Sequence, residues 1–320
     1  MVADIKADIL KQTEQELSQD ELELVSNWCS TTYQSFSAAY NFDPDVWRSL
    51  IVRTALHHPA LLEGIFALSA LQLAYRGTRQ DGLLNSAYTH KKNAQSGLDL
   101  DTTDRGVSFM LCNILVVFEF ASILRFPSSS PSASSSSSSS SFSPSTSSSS
   151  SALDDMTQII LQLRASTTNL AELVNDTREQ KVSKEAPSPA MPSTFGLAIL
   201  MLRRLNAQHD DVGKRPIYNE AINQLASCLE YMAWGSTPGI AELSWFLIIS
   251  DEMMGFIADR QPIALTILAH YCVILYHLRN QWWVADLGTG VLKDISRFFG
   301  PEQLSTISWV MDVTGICPST

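Results

Sequence analysis

Apolar side chains along this chain recur at intervals of three and four residues, the period of a helix buried on one side. Leu24, Trp28 and Thr31 open the pattern, and Asp20 followed by Glu23 resembles a capping box ahead of them. Asp43-Pro44 supplies an N-cap and a first-turn proline for a helix through Trp47, Leu50, Ile51 and Thr54. His58-Pro59 starts another, running through Leu62, Ile65, Phe66, Ser69 and Leu73 and stopping near Gly77. Gly97 ends the next, and Thr102 or Thr103 caps an apolar helix reaching Leu124. Further on, Leu153 to about Gln180 reads as a long amphipathic helix through Met156, Ile160, Leu163, Leu170 and Leu173. Phe195–Gln208, Pro216–Ala233, Ile240–Asp259, Pro262–Arg279 and Trp282–Phe299 follow, with a short helix near Glu302–Val313. No alternating pattern rivals these, so the expected fold is an all-α multi-helix bundle.

Two stretches interrupt the periodicity. From Ser128 to Ser151 nearly every residue is Ser, broken by Pro131, Phe142 and Pro144. Such a tract has no apolar surface to offset the entropy of ordering it, and a disordered loop is expected. Ser130 and Ser143 precede prolines, so both a phosphorylation role and an expanded repeat without function stand open. Ala186–Pro192 (APSPAMP) is a second breaker. The expected organisation is an N-terminal extension (1–19), a first half of a helical domain (20–126) and a Ser-rich loop (127–152). The second half of that domain (153–315) and a tail (316–320) follow.

Composition narrows the function. With 45% apolar residues the chain buries a large core, and 22 Lys+Arg against 33 Asp+Glu give a net charge of −11. An acidic surface repels phosphate backbones, so direct DNA binding by this chain alone is not expected. The cysteines (Cys29, Cys112, Cys228, Cys272, Cys317) are odd in number and lack any C-x-x-C pair, which points to a reducing compartment. The charged N-terminus has no signal-peptide core. Val107 to Leu124 contains Glu119, and Leu243 to Ile257 contains Asp251 and Glu252. Both fall near or below the ~20 residues a bilayer requires, so buried core helices rather than membrane spans are expected. Cys317 lies four from the end, but Pro318 and Ser319 are not the aliphatic residues of a prenylation signal.

Catalytic patterns do not assemble. His270 and His277 sit seven apart, about 10 Å along one helix face and too far for one metal without other ligands. Asp210-Asp211 and Asp251-Glu252 point in different directions on a helix and read as solvated faces or caps. The chain contains no G-x-S-x-G elbow, no G-x-x-x-x-G-K loop and no H-E-x-x-H pair. No enzyme activity, cofactor or metal is expected. Gly64, Ala67, Ser69, Ala70 and Ala74 give the His58–Arg76 helix a small-residue surface for close packing. The second half is rich in aromatic and Met residues, which line an adaptable apolar pocket or fill a core. From that set Phe246, Met253, Met254, Tyr271 and Trp283 are the candidate ligand-binding residues.

Trp47 to Ala74, WRSLIVRTALHHPALLEGIFALSALQLA, resembles the signature of the sterol-regulatory (sterol uptake control) family of fungal zinc-cluster transcription factors. In that family a Trp precedes an apolar helix, then His-Pro, then a Gly-containing helix ending in a version of ALSALHLA. Trp47, His58, Pro59, Gly64, Ala67, Leu68, Ser69, Ala70, Leu71, Leu73 and Ala74 match, and Gln72 stands where the family often has His. Tyr88 and His90 resemble the next family helix. Pro262 to Trp283, PIALTILAHYCVILYHLRNQWW, looks like the family's Pro-x-Ala, Ala-His-Tyr and Trp-Trp block, and Leu287 to Gly300 resembles the helix after it. The family's Trp-Pro near the end is replaced by Trp309-Val310.

The resemblance implies a nuclear regulatory domain, shuttling with the cytoplasm, that binds a hydrophobic, sterol-like ligand. The family's six-cysteine zinc cluster is lacking, which implies a natural truncation or a missing upstream exon. It leaves a second reading open: an accessory interaction module without ligand, pairing as a homodimer or with a full-length factor.

Overall fold

In the computed structural model, residues 17–37, 45–77, 80–97, 104–126, 151–166, 193–233 and 245–316 are described, and every regular element among them is helical. The protein is all-α. The expected N-cap Asp43-Pro44, the threonines Thr102 and Thr103, and Leu170 and Leu173 lie outside the described residues. So do the Ser-rich tract as far as Ser150, the APSPAMP breaker and Cys317. The chain forms two compact units that interleave in sequence. The first draws on Met1–Glu119, Ser166–Met191 and Cys228–Ile248, the second on Phe120–Ala165, Pro192–Ser227 and Ile249–Thr320.

In the first unit, α1 (Gln19–Asn27) starts two residues earlier than the expected Asp20–Glu23 box. Ser18 is the N-cap: its hydroxyl accepts from the Glu21 amide, and the Glu21 carboxylate accepts from the Ser18 amide at 2.7 Å. Asp20 instead lies in the first turn, where a negative charge complements the helix dipole. A π-helical turn, Trp28–Thr32, then buries both Trp28 and Thr32. The Trp28 indole donates to the Trp47 carbonyl at 2.8 Å, and Phe36 stacks on Trp47 with ring centroids 4.3 Å apart.

After α2 (Ile51–Ala55), the His58-Pro59 pair begins α3 (Pro59–Arg76) with proline in the first turn, and Gly77 ends it in extended backbone. Every residue from Gly64 to Gln72 is buried, so α3 has no solvent face along its middle turns. It packs along α4 (Gln80–Ser96). α5 (Arg105–Arg125) approaches from another side, so close that a Cβ on Gly64 would lie 2.6 Å from Leu111 Cδ1. The cap adjoining α5 is an aspartate rather than a threonine: Asp104 accepts from the Gly106 amide at 2.7 Å. Gly106–Arg125 is long and apolar enough to cross a membrane, yet 78% of its most apolar window is buried within the fold. α5 is a core helix.

In the second unit α6 (Ala152–Ser166) buries Leu153, Met156, Ile159 and Ile160. α7 (Ser193–Ala207) follows, and α8 (Arg215–Ala233) runs from this unit into the first. The helix expected over Ile240–Asp259 is broken. α9 (Trp245–Ile248), in the first unit, ends before Ser250, whose extended backbone (ψ 159°) starts α10 (Asp251–Ala258) afresh. Ser250 Oγ accepts from the Met253 amide at 3.1 Å, with Asp251 and Glu252 filling the first turn.

α11 (Pro262–His277) is buried without interruption from Ile263 to Leu275. The helix expected from Trp282 begins only at α12 (Leu287–Phe298). Residues 278–286 are turns, and Ala285 takes a left-handed φ of 46°. α13 (Pro301–Thr306) and α14 (Ser308–Thr314) replace the single short helix expected at the end.

Two glycines report how tightly this unit is built. A Cβ on Gly288 of α12 would meet Leu275 Cβ at 2.8 Å and the Cys272 carbonyl oxygen at 3.1 Å, neither of which can swing away. On Gly255 of α10 it would meet nothing within 4 Å. Gly288→Ala is expected to destabilise by about 1–3 kcal/mol through overpacking. Gly255→Ala should stabilise by about 0.5–1 kcal/mol through helix propensity. Denaturation midpoints moving in opposite directions are the check.

Candidate functional site

The five sequence-predicted residues are all buried, and they divide between the units. Phe246 lies in the first, edge-on to Trp245 at 5.4 Å. Met253, Met254, Tyr271 and Trp283 lie in the second, at 0%, 5%, 0% and 0% exposure. Their positions follow from local structure. Met253 and Met254 complete the first turn after the Ser250 cap, and α10 packs on α11, which carries Tyr271.

Trp283 hangs in the turn between α11 and α12. That turn is pinned by Arg125, whose Nε and Nη2 donate to the Trp282 carbonyl at 2.8 and 2.6 Å. The Trp283 ring meets Phe120 edge-on at 5.9 Å, and its indole N–H has no acceptor among the described residues. A buried donor left without an acceptor costs roughly 1–3 kcal/mol, so this N–H marks a point where a ligand oxygen or a water would be held.

A second buried cluster centres on His270. Its Nδ1–H donates to the Thr266 carbonyl at 2.8 Å, which fixes the neutral tautomer. The ring stacks on Trp309, 5.6 Å apart and 15° from parallel, and Trp309 meets Phe195 of α7 edge-on. Burial holds the His270 pKa down to about 4. Trp309, in the block that departs from the Trp-Pro pattern, thus serves as a stacking platform for a core histidine.

In the first unit Gln72 is an acceptor hub: its Oε1 takes hydrogen bonds from Thr32 Oγ1 (2.7 Å), Thr31 Oγ1 (3.1 Å) and Asn27 Nδ2 (3.2 Å). These bonds tie α1 and the π-helical turn to α3. His90 Nδ1 lies 2.7 Å from Glu63 Oε2, and Tyr88 packs edge-on against Phe118. Lys91 Nζ reaches Glu119 Oε1 at 2.5 Å, a largely buried ion pair with Phe118 beneath the ammonium.

None of this assembles reactive chemistry. Cys29, Cys112, Cys228 and Cys272 are buried and form no disulfide, and desolvation pushes the thiols of Cys29, Cys112 and Cys272 up, that of Cys112 to about 12. Such thiols do not ionise near neutrality. No group of three His, Cys, Asp or Glu among the described residues could hold a metal.

One feature escaped the sequence reading. On α7, Leu197, Leu200 and Met201 are 57%, 60% and 54% exposed, while Ala198, Ile199 and Leu202 are buried. The spacing was visible in the sequence, but apolar residues circle this helix, so periodicity does not say which side faces out. No known protein family matches the chain, and no curated protein or solved structure matches it either.

Proposed function

We propose that this chain is the helical regulatory body of a nuclear transcription regulator, and that its second unit takes up a hydrophobic, sterol-like molecule. The observation that carries the reading is the Trp283 indole N–H, buried without an acceptor among the described residues and belonging to the same unit as Met253, Met254 and Tyr271. A sterol offers what such a site lacks: a rigid apolar body with one polar oxygen to accept from the indole. The resemblance of Trp47–Ala74 and Pro262–Trp283 to the sterol-regulatory family supports the same conclusion. On this reading ligand occupancy shifts the domain between two packings by binding one more tightly than the other.

The experiment is a titration of the full chain with dehydroergosterol, read as energy transfer from tryptophan to the sterol. Saturable binding is expected, and Trp283→Phe should weaken it by about tenfold, the worth of one hydrogen bond to a buried donor. An absence of saturable transfer would count decisively against the ligand. The reading also holds that the chain is no enzyme and does not grip DNA by itself. Its 33 acidic against 22 basic residues leave no phosphate-neutralising surplus, so duplex DNA at low salt should show no binding that salt then abolishes.

A further inference from the structure

We propose that the exposed face of α7 docks an acidic amphipathic helix presented by a partner protein. α7 rests on α11, with Ala198, Ile199 and Leu202 buried. A helix that is also apolar on its far side is ordinarily covered on both. Here the far side carries Leu197, Leu200 and Met201, each more than half exposed. Their i, i+3, i+4 spacing is the row into which one partner helix lays its own apolar anchors.

Charge selects the occupant. Arg204 continues the row one turn beyond Leu200 and Met201, with Arg203 beside it, and both are exposed. Four cations of this unit meet carboxylates, Arg164 with Asp251, Lys214 with Asp211, Arg260 with Asp154 and Arg297 with Asp294, and Arg125, Arg215 and Arg279 donate to backbone carbonyls. Arg203 meets only the neutral Asn223 at 3.1 Å, and neither Arg203 nor Arg204 forms an ion pair among the described residues. In a chain of net charge −11, an apolar row flanked by two unmatched guanidinium groups is complementary to apolar anchors flanked by Glu or Asp. A second copy fits poorly. Antiparallel α7 helices would set Arg204 against Thr194 and Leu197, with no carboxylate to receive it. The inference does not depend on a ligand in the second unit.

The probe is a fluorescein-labelled helical peptide of about four turns, with Leu at i, i+3, i+4 and i+7 and Glu on the flanks, titrated with the full chain and followed by anisotropy. A control peptide carries Lys in place of Glu. The Glu peptide should bind at least about tenfold more tightly than the Lys peptide. Leu200→Asp should remove that binding with an unchanged melting curve, because the position is exposed. Arg204→Glu should narrow or reverse the order of the two peptides. Equal binding of both peptides, or indifference to Leu200→Asp, overturns the proposal. A free chain that sediments as a dimer which Leu200→Asp dissociates would assign the face to a second copy. Binding to phosphatidylserine vesicles with the same sensitivity would assign it to a bilayer. Maleimide labelling of Leu200→Cys no faster than that of the parent chain would assign it to the chain's own residues. Each of these three results also overturns it.

Discussion

Replacing Lys91 with Met is expected to destabilise the protein by about 3–5 kcal/mol, because it removes the cation facing a buried carboxylate inside the first unit. The Glu119 side chain is 5% exposed and that of Lys91 16%, and their charged atoms meet at 2.5 Å. Water therefore has little access to Glu119 once Lys91 is gone. The companion change isolates the cause. Adding Glu119→Leu to Lys91→Met removes the buried charge and should recover most of the loss, since two apolar side chains can replace a buried pair at little net cost. Chemical denaturation of both single variants and the double variant gives the coupling energy. A loss under about 1 kcal/mol for Lys91→Met, the range of a solvated pair, would mean that Glu119 is hydrated.

Acid should weaken the second unit through His270 before carboxylates begin to protonate. The imidazole titrates near 6.5 when unfolded and at about 4 in the fold, chiefly because burial disfavours the cation. Between those values the unfolded chain holds a proton that the native chain does not, so stability rises with pH across the window. The contribution is complete above about pH 6.5 and gone by about pH 4, and its size is on the order of 3 kcal/mol. Unfolding free energies measured from pH 7 down to 4 should slope accordingly, and His270→Gln should flatten the slope. A wild-type profile already flat between pH 6.5 and 4.5 would show that the buried ring accepts its proton without strain.

Much of this architecture is legible in the sequence where a single residue has one local option. Proline after His58 and after Gln261 fixes φ and lacks an N–H, so both α3 and α11 start where those pairs dictate. The failures share a cause. Trp245 to Ile257 is apolar enough to read as one helix, and Ser250 looks like an interior residue until its hydroxyl is seen to accept from the Met253 amide. Trp282 and Trp283 likewise suggest helix, yet Ala285 turns left-handed and delays α12 to Leu287. Arg260 is similar: it holds the left-handed position (φ 54°) that closes α10, where glycine is the usual signal. Burial of the candidate ligand residues was inferable from their chemistry. Which apolar residues stay outside was not, because the exposed row on α7 and its buried row have the same composition.

Two of the changeovers between the units fall in the interior of long helices, in α5 after Glu119 and in α8 after Ser227. Any contiguous fragment that contains one unit whole therefore carries part of the other. A cut between them severs α5 between Phe118, which meets Tyr88 in the first unit, and Phe120, which meets Trp283 in the second. Expression of halves is a route to insoluble product, and dissection of this protein is better done by point substitution in the full-length chain.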